Sequence, residues 1–287
     1  MNGDTQTDEK EPLELGLSPC PNDTFIFHAL LSGLVPSPVP LRPYFADVED
    51  LNARVRQGSL PISKISLGVV PAIMDRYALL SSGAALGWGC GPLVVARRAL
   101  APEDMATLPV AIPGIWTTAN LLLSLHGGFG GPRVPMLFSD IMPAIVRGEV
   151  EVGVVIHEGR FTYAEKGLVK VLDMGEWWEG RFHCPLPLGA IVVRRDVPKA
   201  LARALQAAIR ASLRHARAHP EDGKAFIAGH AQELDEGVIR AHIETFVTDF
   251  SLDLGVQGRD AILRLVGDAA AREELTAPSD GFFLDDD

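Results

Sequence analysis

One stretch constrains this chain more than any other: Leu15-Gly16-Leu17-Ser18-Pro19-Cys20-Pro21-Asn22-Asp23-Thr24-Phe25-Ile26-Phe27. A short apolar strand breaks at two prolines, which cannot continue a strand ladder and which fix the backbone of the turn. Asn22, Asp23 and Thr24 come next, residue types that cap helix N-termini, and an apolar helical pattern follows at once. A helix starting just past the carboxyl end of a strand aims free N–H groups, and the positive end of its dipole, into the crevice above the sheet. Such a place suits an anionic ligand, so Asn22 and Thr24 are candidate contacts. A well-capped turn with no ligand uses the same residues equally well.

The strand-then-helix rhythm repeats. Val39 to Tyr44 reads as a second strand, and Asp47 caps a helix that Gly58 ends. Leu60 to Ser66 is a strand running into a loop, and Val69 to Tyr77 is a short helix. This alternation means an α/β sheet. Two later segments echo each other: Gly91-Pro92-Leu93-Val94-Val95-Ala96-Arg97-Arg98 and Pro187-Leu188-Gly189-Ala190-Ile191-Val192-Val193-Arg194-Arg195. Between them lies room for a second α/β unit. Its strands are Leu108–Ile112, Val134–Phe138, Val150–Ile156 and Leu168–Leu172, and its helices are Thr117–His126 and Ile141–Arg147. The chain thus leaves one lobe, builds another and returns. The expected division is residues 1–97 with 186–287 as the first lobe and 98–185 as the second, with a ligand cleft between them. The remainder is helical, over Pro198–Ala218, Ala225–His230, Glu236–Asp249 and Gln257–Ala271. Met1 to Glu14 and Asp285 to Asp287 read as frayed tails.

Composition narrows the function classes. The 287 residues are 47% hydrophobic and 22% charged, as in an ordinary globular protein. Nothing approaches the roughly 18 unbroken apolar residues of a membrane span, and no secretory signal pattern precedes the first strand. The expectation is a cytoplasmic protein without membrane insertion. A formal net charge of -11 argues against nucleic acid as a partner, but one or two local cations and helix ends still suit a small anion. Cys20, Cys90 and Cys184 form no CxxC pair and read as buried thiols in a reducing compartment. His215 and His219 stand four apart on a helix without an obvious third ligand, so no metal site is expected.

Three segments would meet at the cleft besides the first turn. Pro113-Gly114-Ile115-Trp116-Thr117-Thr118-Ala119-Asn120 again follows a strand, and Thr117 or Thr118 caps its helix, leaving N–H groups for a carboxylate. A cap with no further role is the plainer alternative. Lys64-Ile65-Ser66 offers a cation and a hydroxyl if its strand ends at the crevice, or else a solvated lysine. The sharpest residue is His157, at the end of the apolar strand through Val154-Val155-Ile156. Ligands of open α/β sheets bind at that end, and an ordinary imidazole suits proton abstraction at neutral pH. A structural histidine is the competing reading. The sequence leaves open whether Asp23 or Glu158 tunes it. No GxSxG elbow and no HExxH occur, so nothing points to a nucleophile or a metal.

Ser18-Pro19-Cys20-Pro21-Asn22-Asp23-Thr24-Phe25 resembles the 1,4-dihydroxy-6-naphthoate synthase family of the futalosine route to menaquinone. The resemblance continues through Lys64-Ile65-Ser66, Gly91-Pro92-Leu93-Val94-Val95, Thr117-Thr118-Ala119, Ile156-His157-Glu158-Gly159-Arg160-Phe161-Thr162-Tyr163 and Pro187-Leu188-Gly189-Ala190, over roughly residues 14 to 280. It implies a two-lobed, periplasmic-binding-protein-like (type II) α/β fold serving a cytosolic lyase that needs no metal or organic cofactor. The implied substrate is cyclic dehypoxanthine futalosine, a small anionic aromatic carboxylate. It is cleaved to 1,4-dihydroxy-6-naphthoate with release of a three-carbon fragment, dihydroxyacetone. By matching position, His157 is the implied proton acceptor, and Lys64, Ile65, Ser66, Thr118 and Ala119 are substrate contacts. The family's Gly-Arg-His-Thr-Thr type of segment is here Gly114-Ile115-Trp116-Thr117-Thr118, a departure beside the site. Two alternatives stand beside this reading: the sister chorismate dehydratase, which shares the fold, and a non-catalytic solute-binding protein. The sequence leaves the oligomeric state open.

Overall fold

The computed structural model describes residues 11–231, 235–272 and 280–286. The chain opens with β1 (Leu13–Leu17), α1 (Pro21–Leu31), β2 (Leu41–Phe45), α2 (Val48–Gln57) and β3 (Ile62–Ser66). A 3₁₀ turn over Leu67–Ala72 leads to the short strands β4 (Tyr77–Leu79) and β5 (Ala85–Gly87). There the chain crosses to a second sheet and forms β6 (Leu93–Ala96), α3 (Pro102–Thr107), β7 (Val110–Ile112), α4 (Thr118–His126), β8 (Arg133–Pro135), α5 (Phe138–Arg147) and β9 (Val152–Val155). The one-turn α6 (Gly159–Thr162), β10 (Val169–Asp173) and α7 (Met174–Phe182) complete it. The chain returns through β11 (Leu186–Arg194) and ends in α8 (Lys199–Ala218), α9 (Lys224–Ala228), α10 (Glu236–Phe246), α11 (Asp249–Leu252) and α12 (Gly255–Arg272).

The first sheet runs β2-β1-β3-β11-β4, with β5 also on β11; the second runs β10-β6-β9-β7-β8. In each sheet the strands joined through helices are parallel, and the strands that change lobe, β11 and β6, run antiparallel to their neighbours. Parallel pairs need a crossover, which explains the helices between them. The resulting architecture is the expected two-lobed α/β arrangement. The expected division after residue 97 would leave β6 with the first lobe, whereas β6 pairs with β9 and β10 in the second sheet.

Local chemistry sets most boundaries. The Asp47 carboxylate accepts the Glu49 amide at 2.8 Å, and Gly58 closes α2 at φ 75°. The helix expected over 69–77 is instead the 3₁₀ turn, which contains Pro71, and Tyr77 already belongs to β4; a proline in the interior of an α-helix removes a donor and clashes with the preceding turn. Helices α3 and α7 were not expected. The Asp173 side chain starts α7 by accepting the amides of Gly175 and Glu176, and Trp178 anchors it in the core. The tails need correction too. Leu13 and Glu14 belong to β1, Asp285 is held by Arg203 and Gln206 at 3.1 Å each, and Asp286 pairs with Arg259. Met1 to Lys10 and Asp287 lie outside the described residues.

The largest core passes from one lobe to the other. It joins Leu51, Ile65 and Leu86 of the first lobe to Val94, Val110 and Leu122 of the second and to Leu265 of α12. Helix α1 is buried on almost every face, because α8, α9 and α10 cover the side away from the sheet; a helix in that position is apolar all round.

Candidate active site

A cavity partly open to solvent lies between the lobes, a usual place for a small-molecule site. Its walls include the carboxyl end of β3, the turn before α1, the start of α4, the segment after β9, part of β11 and the inner face of α10. These are the strand ends at which open α/β sheets bind ligands. Asn22, Lys64, Ile65, Ser66, Thr117, Thr118, Ala119 and His157 all line it. Thr24 does not. It is fully buried, and its hydroxyl donates to the carbonyls of Cys20 at 3.1 Å and Pro21 at 3.3 Å within the first turn of α1.

His157 follows β9 with φ 54°, in the left-handed region that non-glycine residues enter at a cost. That turn brings its ring beside Phe138, edge to face at 4.9 Å, and parallel to His242 at 6.0 Å between centroids. The Cys20 sulfur is 3.4 Å from Nδ1 and 3.9 Å from Nε2. Burial lowers the His157 pKa from 6.5 to about 4; the Asp23 charge works against that shift and Lys64 adds to it. The imidazole is therefore neutral at physiological pH, the form a base needs.

The turn before α1 carries a closed polar network. Lys64 Nζ donates to Asp23 Oδ1 at 2.7 Å with both side chains buried, Asn22 Nδ2 donates to the same oxygen at 2.8 Å, and Ser18 Oγ donates to Oδ2 at 2.8 Å. The N-cap position of α1 belongs to Cys20, whose side chain makes no capping bond. Asn22 and Asp23 thus serve the network instead of capping, and the positive end of α1 already faces a carboxylate. The start of α4 is different. Thr117 caps it by accepting the Asn120 amide at 3.2 Å. The first amides of a helix, here those of Thr118 and Ala119, have no intrahelical acceptor. Thr118 also ties the lobes together: its hydroxyl accepts from Gly68 N at 3.3 Å and donates to Leu188 O at 2.5 Å. Asn52 adds a second tie, accepting the Ser66 amide at 3.0 Å and donating to Trp116 O at 3.3 Å.

Several cavity residues carry no comparable signal in the sequence. Arg160 donates to Gly91 O at 2.5 Å and to Asp173 at 2.8 Å; it sits inside the His157 segment, but nothing local assigns it a contact. His242 and Phe246 come from α10, where the sequence pointed to a helix and nothing more. Cys90 also borders the cavity, and burial pushes its thiol up to about 12, as burial raises that of Cys20. Neither is a thiolate nucleophile at neutral pH. Ile115 and Trp116, at the departure from the family pattern, stay off the cavity wall, and Trp116 lies beneath the Arg56 guanidinium at 3.7 Å.

The sequence profile described as "Menaquinone biosynthesis" matches residues 13–271. The 1,4-dihydroxy-6-naphthoate synthase of Thermus thermophilus is 52% identical over 94% of this chain and 97% of its own. That of Streptomyces coelicolor is 44% identical over 91% and 94%. A crystal structure of an Archaeoglobus fulgidus protein superposes with a TM-score of 0.86 at 30% identity, covering 92% of this chain and 98% of that one. A Candida albicans protein described as having the generic periplasmic binding protein fold superposes with a TM-score of 0.64 at 11% identity, over 94% and 92% of the two chains. The periplasmic aliphatic sulphonate binding protein of Escherichia coli gives 0.62 at 12% identity, over 92% and 88%. These last two speak for the fold alone, a two-lobed periplasmic-binding-protein fold. By the profile and the two close relatives, the chain belongs to the menaquinone-biosynthesis family, as an enzyme of the 1,4-dihydroxy-6-naphthoate synthase type.

Proposed function

We propose that the chain converts cyclic dehypoxanthine futalosine to 1,4-dihydroxy-6-naphthoate with release of dihydroxyacetone, and that His157 starts the reaction by taking a proton from a substrate hydroxyl. The observation that carries this reading is a neutral imidazole, held in a strained turn at a strand end, on the wall of the cavity between the lobes. Once the hydroxyl proton is removed, the oxygen's electron pair forms a carbon–oxygen double bond and the adjacent carbon–carbon bond breaks. The pair from that bond passes into the ring that remains, which takes up a proton and becomes aromatic, while the carbonyl fragment departs. A positioned base contributes about 10²–10⁴-fold, and orientation in a cavity with little water contributes more.

The aromatic carboxylate fits the start of α4, where the Thr118 and Ala119 amides and the helix dipole favour an anion. Lys64 and Arg160 add positive charge to the wall, each already balanced by an aspartate, so they shape the field without repelling a neutral polyol. Ser66 and Asn22 supply polar contacts near His157. We place the reaction in the cytoplasm, where the free thiols Cys20, Cys90 and Cys184 suit a reducing medium. No helix among the described residues is long and apolar enough to cross a membrane.

Incubating purified protein with cyclic dehypoxanthine futalosine, and separately with chorismate, tests the assignment. The reading expects the dihydroxynaphthoate from the first and no change in the second. Dehydration of chorismate would move the chain to the sister activity, and tight binding without conversion of either would favour a solute-binding protein.

A further inference from the structure

The reaction as proposed gives no part to Glu49. This residue stands in the first turn of α2, in the first lobe, and its half-buried carboxylate reaches the loop that leads into α4 of the second. Oε1 and Oε2 accept the Trp116 amide at 3.1 and 3.3 Å, and Oε2 also accepts from Asn52 Nδ2 at 3.2 Å. Burial pushes the Glu49 carboxyl up, while the amides of Trp116 and Ile115 and the Asn52 side chain work against that push.

Two further contacts seat the same loop. The Arg56 guanidinium lies over the Trp116 ring at 3.7 Å, and Asn52 Nδ2 donates to Trp116 O at 3.3 Å. Glu49, Asn52 and Arg56 thus present one face of α2, since residues three and seven apart share a side of a helix. The approach is close. A Cβ on Gly114 would stand 2.4 Å from Glu49 Cδ, and one on Gly68 would stand 2.6 Å from Thr117 O. The loop and the helix start form one piece: Thr117 Oγ1 donates to Gly114 O at 2.8 Å, and Asn120 Nδ2 donates to Ile115 O at 2.9 Å. Whatever holds Ile115 and Trp116 therefore also holds the amides of Thr118 and Ala119, which have no acceptor within the helix. Glu49 and Trp116 themselves do not line the cavity, so their part is indirect.

We infer that Glu49 is a positioning residue for the substrate: from the first lobe it fixes the loop before α4, and so sets where the α4 amides meet the ligand's carboxylate. A misplacement of about 1 Å in a group that orients substrate costs on the order of 10²-fold, so a seated helix start is worth more to the site than a free one. The inference rests on the proposed docking of the aromatic carboxylate at α4.

The test measures, by calorimetry under reducing conditions, the affinity of the full-length protein for 1,4-dihydroxy-6-naphthoate and for naphthalene-1,4-diol, which lacks the carboxylate. Wild type should bind the naphthoate at least tenfold more tightly than the diol. Glu49→Ala should weaken the naphthoate at least tenfold and leave the diol within twofold. In turnover it should raise KM for cyclic dehypoxanthine futalosine at least tenfold, with kcat within threefold. Glu49→Asp keeps the charge but is one methylene short of the Trp116 amide, and should show the same selective loss, at least threefold. Glu49→Gln drops the charge but keeps an acceptor at full reach, and should recover most of the affinity. Ala and Asp variants that keep the wild-type preference, or that lose both ligands alike as a merely structural role would have it, overturn the inference; so does a Gln variant no better than Ala. A wild-type protein that binds the diol as tightly as the naphthoate instead overturns the docking of the carboxylate beneath it.

Discussion

At the scale of single residues, the site rests on a buried ion pair and two neutral imidazoles. Lys64 and Asp23 are both buried and bonded at 2.7 Å. Removing one partner of such a pair leaves an uncompensated charge and costs about 3–5 kcal/mol, so Asp23→Ala should lower the urea midpoint by that equivalent, and a change under about 1 kcal/mol would contradict the network. The depressed histidines set the pH behaviour. His157 is held at about 4 when folded, against about 6.5 in an unfolded chain. Between those values the unfolded chain binds a proton that the folded one refuses. Stability contributed by the neutral ring is thus full above about 6.5 and is lost as pH falls toward 4. In a pH profile, the acid limb of kcat/KM should fall near 4; a limb near 6.5 would place the imidazole in a wetter setting than this one. His157 was legible from sequence because it ends an apolar strand. His242 was not: a histidine on the inner face of an amphipathic helix gives no local sign of what that face meets. Thr24 misled because cap chemistry and helix-internal bonding use the same hydroxyl.

At the scale of elements, close backbone approaches hold the cavity wall. A Cβ on Gly91 would stand 2.1 Å from Gly175 N and 2.5 Å from Gly175 Cα. Gly91 O is also the acceptor that orients Arg160. Gly91→Ala must therefore separate the entry to β6 from the start of α7. The expected outcome is a loss of about 1–3 kcal/mol with weaker substrate binding, read by thermal melts and KM; a variant with unchanged melting and KM would show that these segments give way freely. Elements with their own signals were readable: Asp47 and Gly58 bracket α2, and Thr117 caps α4. The 3₁₀ turn at Leu67–Ala72 and helix α7 were not, because Pro71 and the Asp173 cap act within short segments where periodicity carries little information.

At the scale of the whole molecule, two sheets joined by a shared core bring cavity-lining groups together from opposite sides: Asn22, Lys64 and His242 from one lobe, Thr118, Ala119 and His157 from the other. The lobe-and-return plan could be read from the strand rhythm. The place of the first crossing could not, since β6 carries the same apolar pattern whichever sheet it joins. Thr118 bridges the lobes through Gly68 and Leu188, so Thr118→Val should raise KM more than it lowers kcat; the reverse pattern would argue against a closing role. Saturating ligand at about 100 times its Kd should add about 2.7 kcal/mol of stability, seen as a higher Tm, and an unmoved Tm would mean that ligand binds elsewhere or not at all. The most direct measurement is single-turnover conversion of cyclic dehypoxanthine futalosine by wild type and His157→Asn, with folding and substrate binding verified for both. The account predicts a chemical step slowed about 10²–10⁴-fold in the variant, with binding retained; a variant that converts substrate at close to the wild-type rate would contradict it.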